Sequence, residues 1–228
     1  MPRRARLALP GIAWHIIQRG NNRSACFYAE GDYRKYLRIL QEQACAFDCA
    51  VHAYVLMTNH VHLLVTPVRQ AGASLMMKHL GQRYVQYVNR TYRRTGTLWE
   101  GRFRSCLAQD EGYVLACYRY IERNPVRAGM VDHPAEYSWS SYHANGQGAR
   151  DALLTEHADY RRLGPTPDLR REAYQKLCRL HMEPELTDEI RTATNGNYAL
   201  GNDRFKEEVG RMLGRRAAPG QSGRPAKA

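Results

Sequence analysis

Residues 51–67 read Val51-His52-Ala53-Tyr54-Val55-Leu56-Met57-Thr58-Asn59-His60-Val61-His62-Leu63-Leu64-Val65-Thr66-Pro67. Two runs rich in Val, Leu and Tyr flank Thr58-Asn59, which predicts a hairpin with strands at 51–57 and 60–66 and a tight turn between them. Side chains alternate between the faces of a strand. Val61, Leu63 and Val65 therefore face the core, and His60 and His62 share the opposite face. Two imidazoles side by side on rigid backbone can grip one divalent metal ion. The blander alternative is a pair of half-exposed surface histidines, and the hairpin alone leaves both open.

Outward from the hairpin, residues 11–18 read as a first strand, and Arg19-Gly20-Asn21-Asn22-Arg23 supplies turn residues with two guanidiniums. Tyr33, Tyr36, Leu37, Leu40 and Ala44 recur at helical spacing over 32–47, with Asp32 as a cap. A long helix spans about 73–93. Residues 98–107 read as a loop entering a short strand. A helix over 111–123 ends at Asn124-Pro125, because the residue before proline avoids the helical region. This order predicts an α+β fold in which helices pack on an antiparallel sheet. Beyond about residue 144 the composition changes, with helices expected at 169–182 and 203–213. The acid-free stretch 215–228 is expected to be a disordered basic tail. The expected organisation is 1–143 for the main domain, 144–214 for a helical extension and 215–228 for the tail.

The chain has 228 residues and a formal net charge of +12. Arg outnumbers Lys, and a guanidinium suits bidentate phosphate contact and base stacking. Nucleic acid is the expected partner. No stretch has the length and apolarity of a membrane span, and no apolar segment follows the basic start, so no secretory signal is expected. The six cysteines lack a CxxC pair, which points to reduced thiols and a cytoplasmic protein. Cys45 and Cys49 are expected to be buried.

On the 111–123 helix, Tyr113, Cys117, Tyr120 and Asn124 form one stripe by four-three-four spacing, beside an apolar stripe of Val114, Tyr118 and Ile121. A phenol and an amide thus sit one turn apart. Tyr120 is a candidate nucleophile, and the Asn124 amide oxygen could join His60 and His62 at a metal. Against this, most helical tyrosines are core or interface residues, and Asn before Pro is an ordinary helix terminator.

Several blocks occur in a fixed order: Gln18-Arg19-Gly20-Asn21-Asn22-Arg23, Asn59-His60-Val61-His62-Leu63-Leu64-Val65, Trp99-Glu100-Gly101-Arg102-Phe103-Arg104, Tyr120-Ile121-Glu122-Arg123-Asn124-Pro125-Val126-Arg127, and Tyr137-Ser138-Trp139-Ser140-Ser141. Over about residues 5–143 the chain resembles the REP-associated tyrosine transposases, single-tyrosine HUH enzymes of the insertion-sequence type. The resemblance implies a ferredoxin-like fold, a His60/His62 metal site completed by Asn124, and Tyr120 as catalytic residue. It also implies Mg²⁺ or Mn²⁺, and strand cleavage and transfer on single-stranded DNA through a 5′-phosphotyrosine. The implied substrate is a palindromic repeat folded into a hairpin, handled by a monomer more readily than by a dimer. Arg3, Arg4, Arg6, Arg19, Arg23, Lys78, Arg83, Arg102 and Arg104 are candidate DNA contacts, each otherwise a solvated surface charge, and Trp99 could equally stack on a base or belong to the core. Two other readings are a domesticated protein that binds hairpin DNA without cutting it, and a zinc-stabilised regulator using cysteines.

Overall fold

The computed structural model describes residues 4–110 and 112–220. Five strands, β1 (Ala13–Arg19), β2 (Cys49–Met57), β3 (His60–Pro67), β4 (Arg104–Ala108) and β5 (Ala199–Leu200), form one sheet in the order β2-β3-β1-β4-β5. The first four are antiparallel to their neighbours, and the two-residue β5 runs parallel to β4. Nine α-helices are present among the described residues: α1 (Glu30–Ala46), α2 (Gly72–Thr91), α3 (Tyr113–Glu122), α4 (Asn124–Arg127), α5 (Tyr142–Asn145), α6 (Ala158–Arg161), α7 (Pro167–Arg179), α8 (Pro184–Gly196) and α9 (Asp203–Leu213). The strand–helix–strand–strand–helix–strand order with β1 and β3 central is the ferredoxin-like arrangement expected. Its one departure is the parallel β5, which makes the sheet mixed.

The hairpin forms with its turn at Thr58-Asn59, and Met57 pairs with His60. Strand alternation then divides the core. Trp14, Ile16, Leu63 and Val65 face α1 and α2 together with Leu40, Leu80 and Tyr84. Ala13, Ala53, Val55, Leu64 and Ala108 face the other way, beneath Val114, Cys117, Tyr118 and Ile121 of α3. Small alanines on that face let the helix backbone approach the sheet, which brings Tyr120 close to the strand histidines.

Asp32 acts three residues inside α1 and not at its cap. Its buried carboxylate accepts from the backbone N–H groups of Tyr28 at 2.7 Å and Ala29 at 3.0 Å, and from the hydroxyls of Tyr87 and Tyr92. It thereby closes the orphan donors at the start of α1 and ties α1 to α2. Cys45 is exposed and only Cys49 is buried, which corrects the expectation for that pair; all six thiols are free. The helix expected at 169–182 is α7, ending at Arg179, and the helix expected at 203–213 is α9. Helix α8 and strand β5 were not foreseen. Of the stretch 215–220, Ala217 is buried and its carbonyl accepts from the Ala199 N–H at 2.8 Å. Residues 221–228, and Arg3, lie outside the described residues.

Elements after residue 140 are fastened to α3 through Glu122. Its fully buried carboxylate accepts from Ser141 Oγ, Asn145 Nδ2 at 2.8 Å and Tyr174 OH. Burial pushes this carboxyl up from 4.5 to about 7, against the three donors, which favour its charged form. The native state then holds a proton between pH 4.5 and 7 that the unfolded chain has lost, so this group lowers stability as pH rises through that window. Glu122→Gln removes the titration. Its stability relative to the native chain is therefore expected to improve from pH 4.5 to 7, by about 1.4 kcal/mol per pH unit at most. Denaturant unfolding at a series of pH values checks this, and a difference flat with pH would contradict it.

Candidate active site

Alternation along β1 places His15, Ile17 and Arg19 on the face that carries His60 and His62, with Ile17 paired to His62 and Arg19 to His60. These five residues line a cavity of about 290 Å³ with Tyr120 near the end of α3, Asn124 and Arg127 of α4, and Arg191, Thr194 and Asn195 of α8. The structure thus brings together all four residues singled out as metal or nucleophile candidates. The His60 and His62 ring centroids are 5.1 Å apart, and the Tyr120 ring lies edge-on 5.7 Å from His62.

Hydrogen bonds fix the orientation of both rings. The Asn59 amide donates to the Arg23 carbonyl, so its oxygen accepts from His60 Nδ1 at 2.6 Å. His60 Nε2 then carries the lone pair. For His62 the chain of bonds is longer. Thr194 Oγ1 donates to the Ile190 carbonyl at 2.7 Å, so it accepts from His15 Nδ1 at 2.9 Å. Neutral His15 must then accept at Nε2, where His62 Nδ1 lies at 2.8 Å. His62 Nδ1 is the donor, and its Nε2 is left as an acceptor.

Burial, reinforced by nearby arginines, pushes His15 down to about 3 and His60 to about 4. The same burial, with the neighbouring histidines and Arg127, holds His62 well below its ordinary value. The three rings are neutral at pH 7, the form that ligates a metal. Asn124 lies within hydrogen-bonding reach of His60. Two neutral imidazoles and an amide oxygen therefore fit a divalent cation.

Positive charge surrounds these rings, and among the described residues no carboxylate lines the cavity. The Arg127 guanidinium lies 4.0 Å over the Tyr120 ring and donates to the Tyr120 carbonyl. Arg191 meets the Tyr120 hydroxyl and pairs with Asp188 at 3.1 Å. Such a cavity is made for an anion. A separate grouping, Asp110, His157 and Asp159, shares no residue with it. There His157 Nδ1 accepts from the Asp159 N–H at the start of α6, and Asp159 pairs with Arg162, so His157 and Asp159 serve a helix terminus.

A family model described as "Transposase IS200 like" matches residues 9–124. The chain belongs to the IS200-like transposase family. Membership implies a DNA-processing enzyme and a divalent metal ion. A Haemophilus influenzae protein whose name assigns it to the REP-associated tyrosine transposases is 24% identical over 123 residues, 49% of this chain and 70% of that protein. A solved structure of a REP-associated tyrosine transposase bound to a REP hairpin matches with a TM-score of 0.56 at 16% identity. It covers 69% of this chain and 99% of the other, a likeness that shows the shared fold.

The remaining candidates of this transposase scatter. Arg19 lines the cavity, and Arg102 and Arg104 share an adjoining small pocket with it. Arg4, Arg6, Arg102 and Arg104 line another hollow. Lys78, Arg6 and Arg102 border a groove on the opposite sheet face. Arg23 is exposed in a 3₁₀ turn, and Arg83 pairs with Glu42 at 2.5 Å, away from these hollows. Trp99 is buried in the core against Tyr36 and Tyr84, so only its edge is available. No cysteine lines the histidine cavity. Sequence reading missed His15, Arg127, Arg191 and Thr194. His15 was visible as a polar residue within an apolar strand, on the face of Arg19. Arg127 lies seven residues beyond Tyr120, two helical turns on.

Thr194→Val should leave the buried His15 Nδ1–H without its acceptor, at a cost of about 1–3 kcal/mol, while Thr194→Ser should restore it. Urea unfolding of both variants, with ¹⁵N NMR of the His62 ring to read its tautomer, checks this. Equal stability of all three proteins with an unchanged His62 signal would contradict it.

Proposed function

We propose that this transposase is a metal-dependent single-stranded-DNA endonuclease and strand transferase acting on palindromic repeats folded into hairpins. The observation that carries the reading is a single cationic cavity gathering Tyr120, His60, His62 and Asn124. The hairpin substrate is inferred from the relatives, one of which was solved on a REP hairpin. The basic net charge accords with a DNA-bound protein, which we read as a cytoplasmic monomer; among the described residues no helix is long and apolar enough to cross a membrane.

His60 and His62 through Nε2, with the Asn124 amide oxygen, would hold Mg²⁺ or Mn²⁺, which when bound neutralises charge on the scissile phosphate. Tyr120 Oη attacks phosphorus in line, and the bond from phosphorus to the 3′ oxygen breaks. The phenol proton is lost and the leaving oxygen gains one, giving a 5′-phosphotyrosine and a free 3′-OH. Attack by another 3′-OH reverses the step and joins strands, so the bond is conserved and no nucleotide triphosphate is consumed. Arg191 contacts the phenol oxygen, and Arg127 holds the ring from its face. Arg19, Arg102 and Arg104 continue the positive path away from the cavity.

Incubation with a hairpin-bearing single strand and Mn²⁺ is expected to give a covalent band on a denaturing gel, abolished in Tyr120→Phe. An adduct that survives in Tyr120→Phe would refute the nucleophile, and tight hairpin binding with no adduct in the native chain would favour the non-cleaving reading. Affinity should fall steeply with salt. Arg102→Ala and Arg104→Ala should each lower the slope of log K against log salt by about 0.7–0.9, the contribution of one phosphate contact. Unchanged slopes would remove these two from the interface.

A further inference from the structure

On the sheet face opposite the histidine cavity, a groove of about 800 Å³ runs between α2 and residues 96–103. That volume is within the range of pockets for drug-sized organic molecules. Its walls are largely apolar, with Leu75, Met77, Val85 and Phe103 among them. Apolar walls alone would suit a lipid tail or a partner helix. The polar atoms argue otherwise. Five side-chain polar atoms are buried without a partner among the described residues, and three of them, Arg6 Nε, Gln18 Oε1 and Trp99 Nε1, belong to residues lining this groove. Gln18 is 7% exposed and Trp99 5%. Buried orphans are costly and uncommon in native structures. An acceptor and a donor waiting in one slot mark a place where a ligand supplies both.

Gly81 in mid-α2 is the second observation. A Cβ there would sit 3.9 Å from both Gln18 Nε2 and Trp99 Nε1, so the bare backbone leaves a flat strip beside the two polar groups. Glycine inside a helix is unfavourable relative to alanine, which makes the open strip a feature that the chain keeps at a cost. The third observation is charge. Arg6, Lys78 and Arg102 border the groove, no acid lines it, and none of the three forms an ion pair among the described residues. Burial, with Arg102 close by, lowers the Arg6 guanidinium from its ordinary value. A flat heterocycle with adjacent donor and acceptor on its edge, apolar faces and an attached phosphate answers all three demands.

We propose that this groove receives an unpaired nucleobase of the DNA strand, with Gln18 Oε1 and Trp99 Nε1 reading its edge and Arg6 and Arg102 holding the adjoining phosphate. The proposal rests on the transposase reading for its source of unpaired DNA. The route is short: Gln18 lies between Ile17 and Arg19 of the histidine cavity, Arg19 and Arg102 line one small pocket, and Arg102 also borders the groove. Gln18 and Trp99 are specificity-determining in this arrangement, because a wrong edge leaves them unpaired.

The test uses the full chain with ¹⁵N-labelled indoles, Trp99 being assigned by Trp99→Phe. Short oligo(dA), oligo(dC) and oligo(dT) are titrated against an abasic deoxyribose-phosphate strand of equal length and against a fatty-acid carboxylate. The Trp99 indole N–H should move with at least one base-bearing strand and stay in place with the abasic strand, and the preferred strand should bind about tenfold more tightly than the abasic one. Gly81→Leu, which fills the strip, should abolish the shift and that preference, while Gly81→Ala remains folded and reports whether the helix tolerates any side chain. The shift should persist in Tyr120→Phe, whose failure to form an adduct belongs to the catalytic reading alone. An indole that ignores every strand, that responds equally to the abasic strand, or that responds to the carboxylate instead would overturn the proposal.

Discussion

The antiparallel pairing of β1 with β3 governs what the rest of the molecule can do. These are the two central strands, and each has a fully committed set of side chains on both faces. With Ile17 opposite His62 and Arg19 opposite His60, β1 delivers His15 and Arg19 to one face and Trp14, Ile16 and Gln18 to the other. A slip of one residue would carry the tryptophan and isoleucine into the polar cavity and the histidine into the core. Burial on both faces therefore locks the register, and with it the spacing between the rings. The His15–His62 hydrogen bond depends on that register and reinforces it.

Desolvation gives the cavity its chemical character. Three imidazoles packed this closely could not share one small volume as cations, and burial beside Arg19 and Arg127 keeps them neutral. The arginines around them keep their charge, since a guanidinium resists deprotonation. The result is neutral ligands ringed by cations, which favours an incoming phosphate over a carboxylate-rich metal cage and leaves charge neutralisation incomplete until an anion arrives. Tyr120 sits where both influences meet, edge-on to two imidazoles and face-on to Arg127.

Much of this was legible in the chain. The hairpin at 51–67 could be read because its alternation and turn residues agree, and the Tyr120/Asn124 stripe could be read because helical spacing is rigid. Asp32 was seen as a helix-start signal, although its carboxylate works from the third helical position and also collects Tyr87 of α2 and Tyr92 just past its end, which no local pattern announces. The parallel β5 was hidden because two residues carry no periodicity. Helix α8 was hidden for a different reason. Pro184-Glu-Leu-Thr-Asp-Glu-Ile-Arg-Thr-Ala-Thr-Asn-Gly196 has three threonines and little apolar surface, and only Ile190, Ala193 and Thr194 are buried. Its stability comes from docking on β4 and β5, a tertiary contribution that propensity does not record.

That hidden helix changes how the cavity is understood. The family model's match ends at residue 124, yet Arg191, Thr194 and Asn195 line the same volume as the histidines. Thr194 sits at the far end of the hydrogen-bond chain that orients His62, and Ile190, four residues earlier on the same helix face, supplies the carbonyl that sets the direction of that chain. Helix periodicity therefore couples Arg191 at the phenol and Thr194 at the imidazole relay: both project from one face, three residues apart. Moving α8 by a single turn would unseat both at once. A site whose residues on the strands and α3 fall within the family-matched stretch is thus oriented by a segment outside it, and the precision of the imidazoles depends on how firmly the last third of the chain is docked.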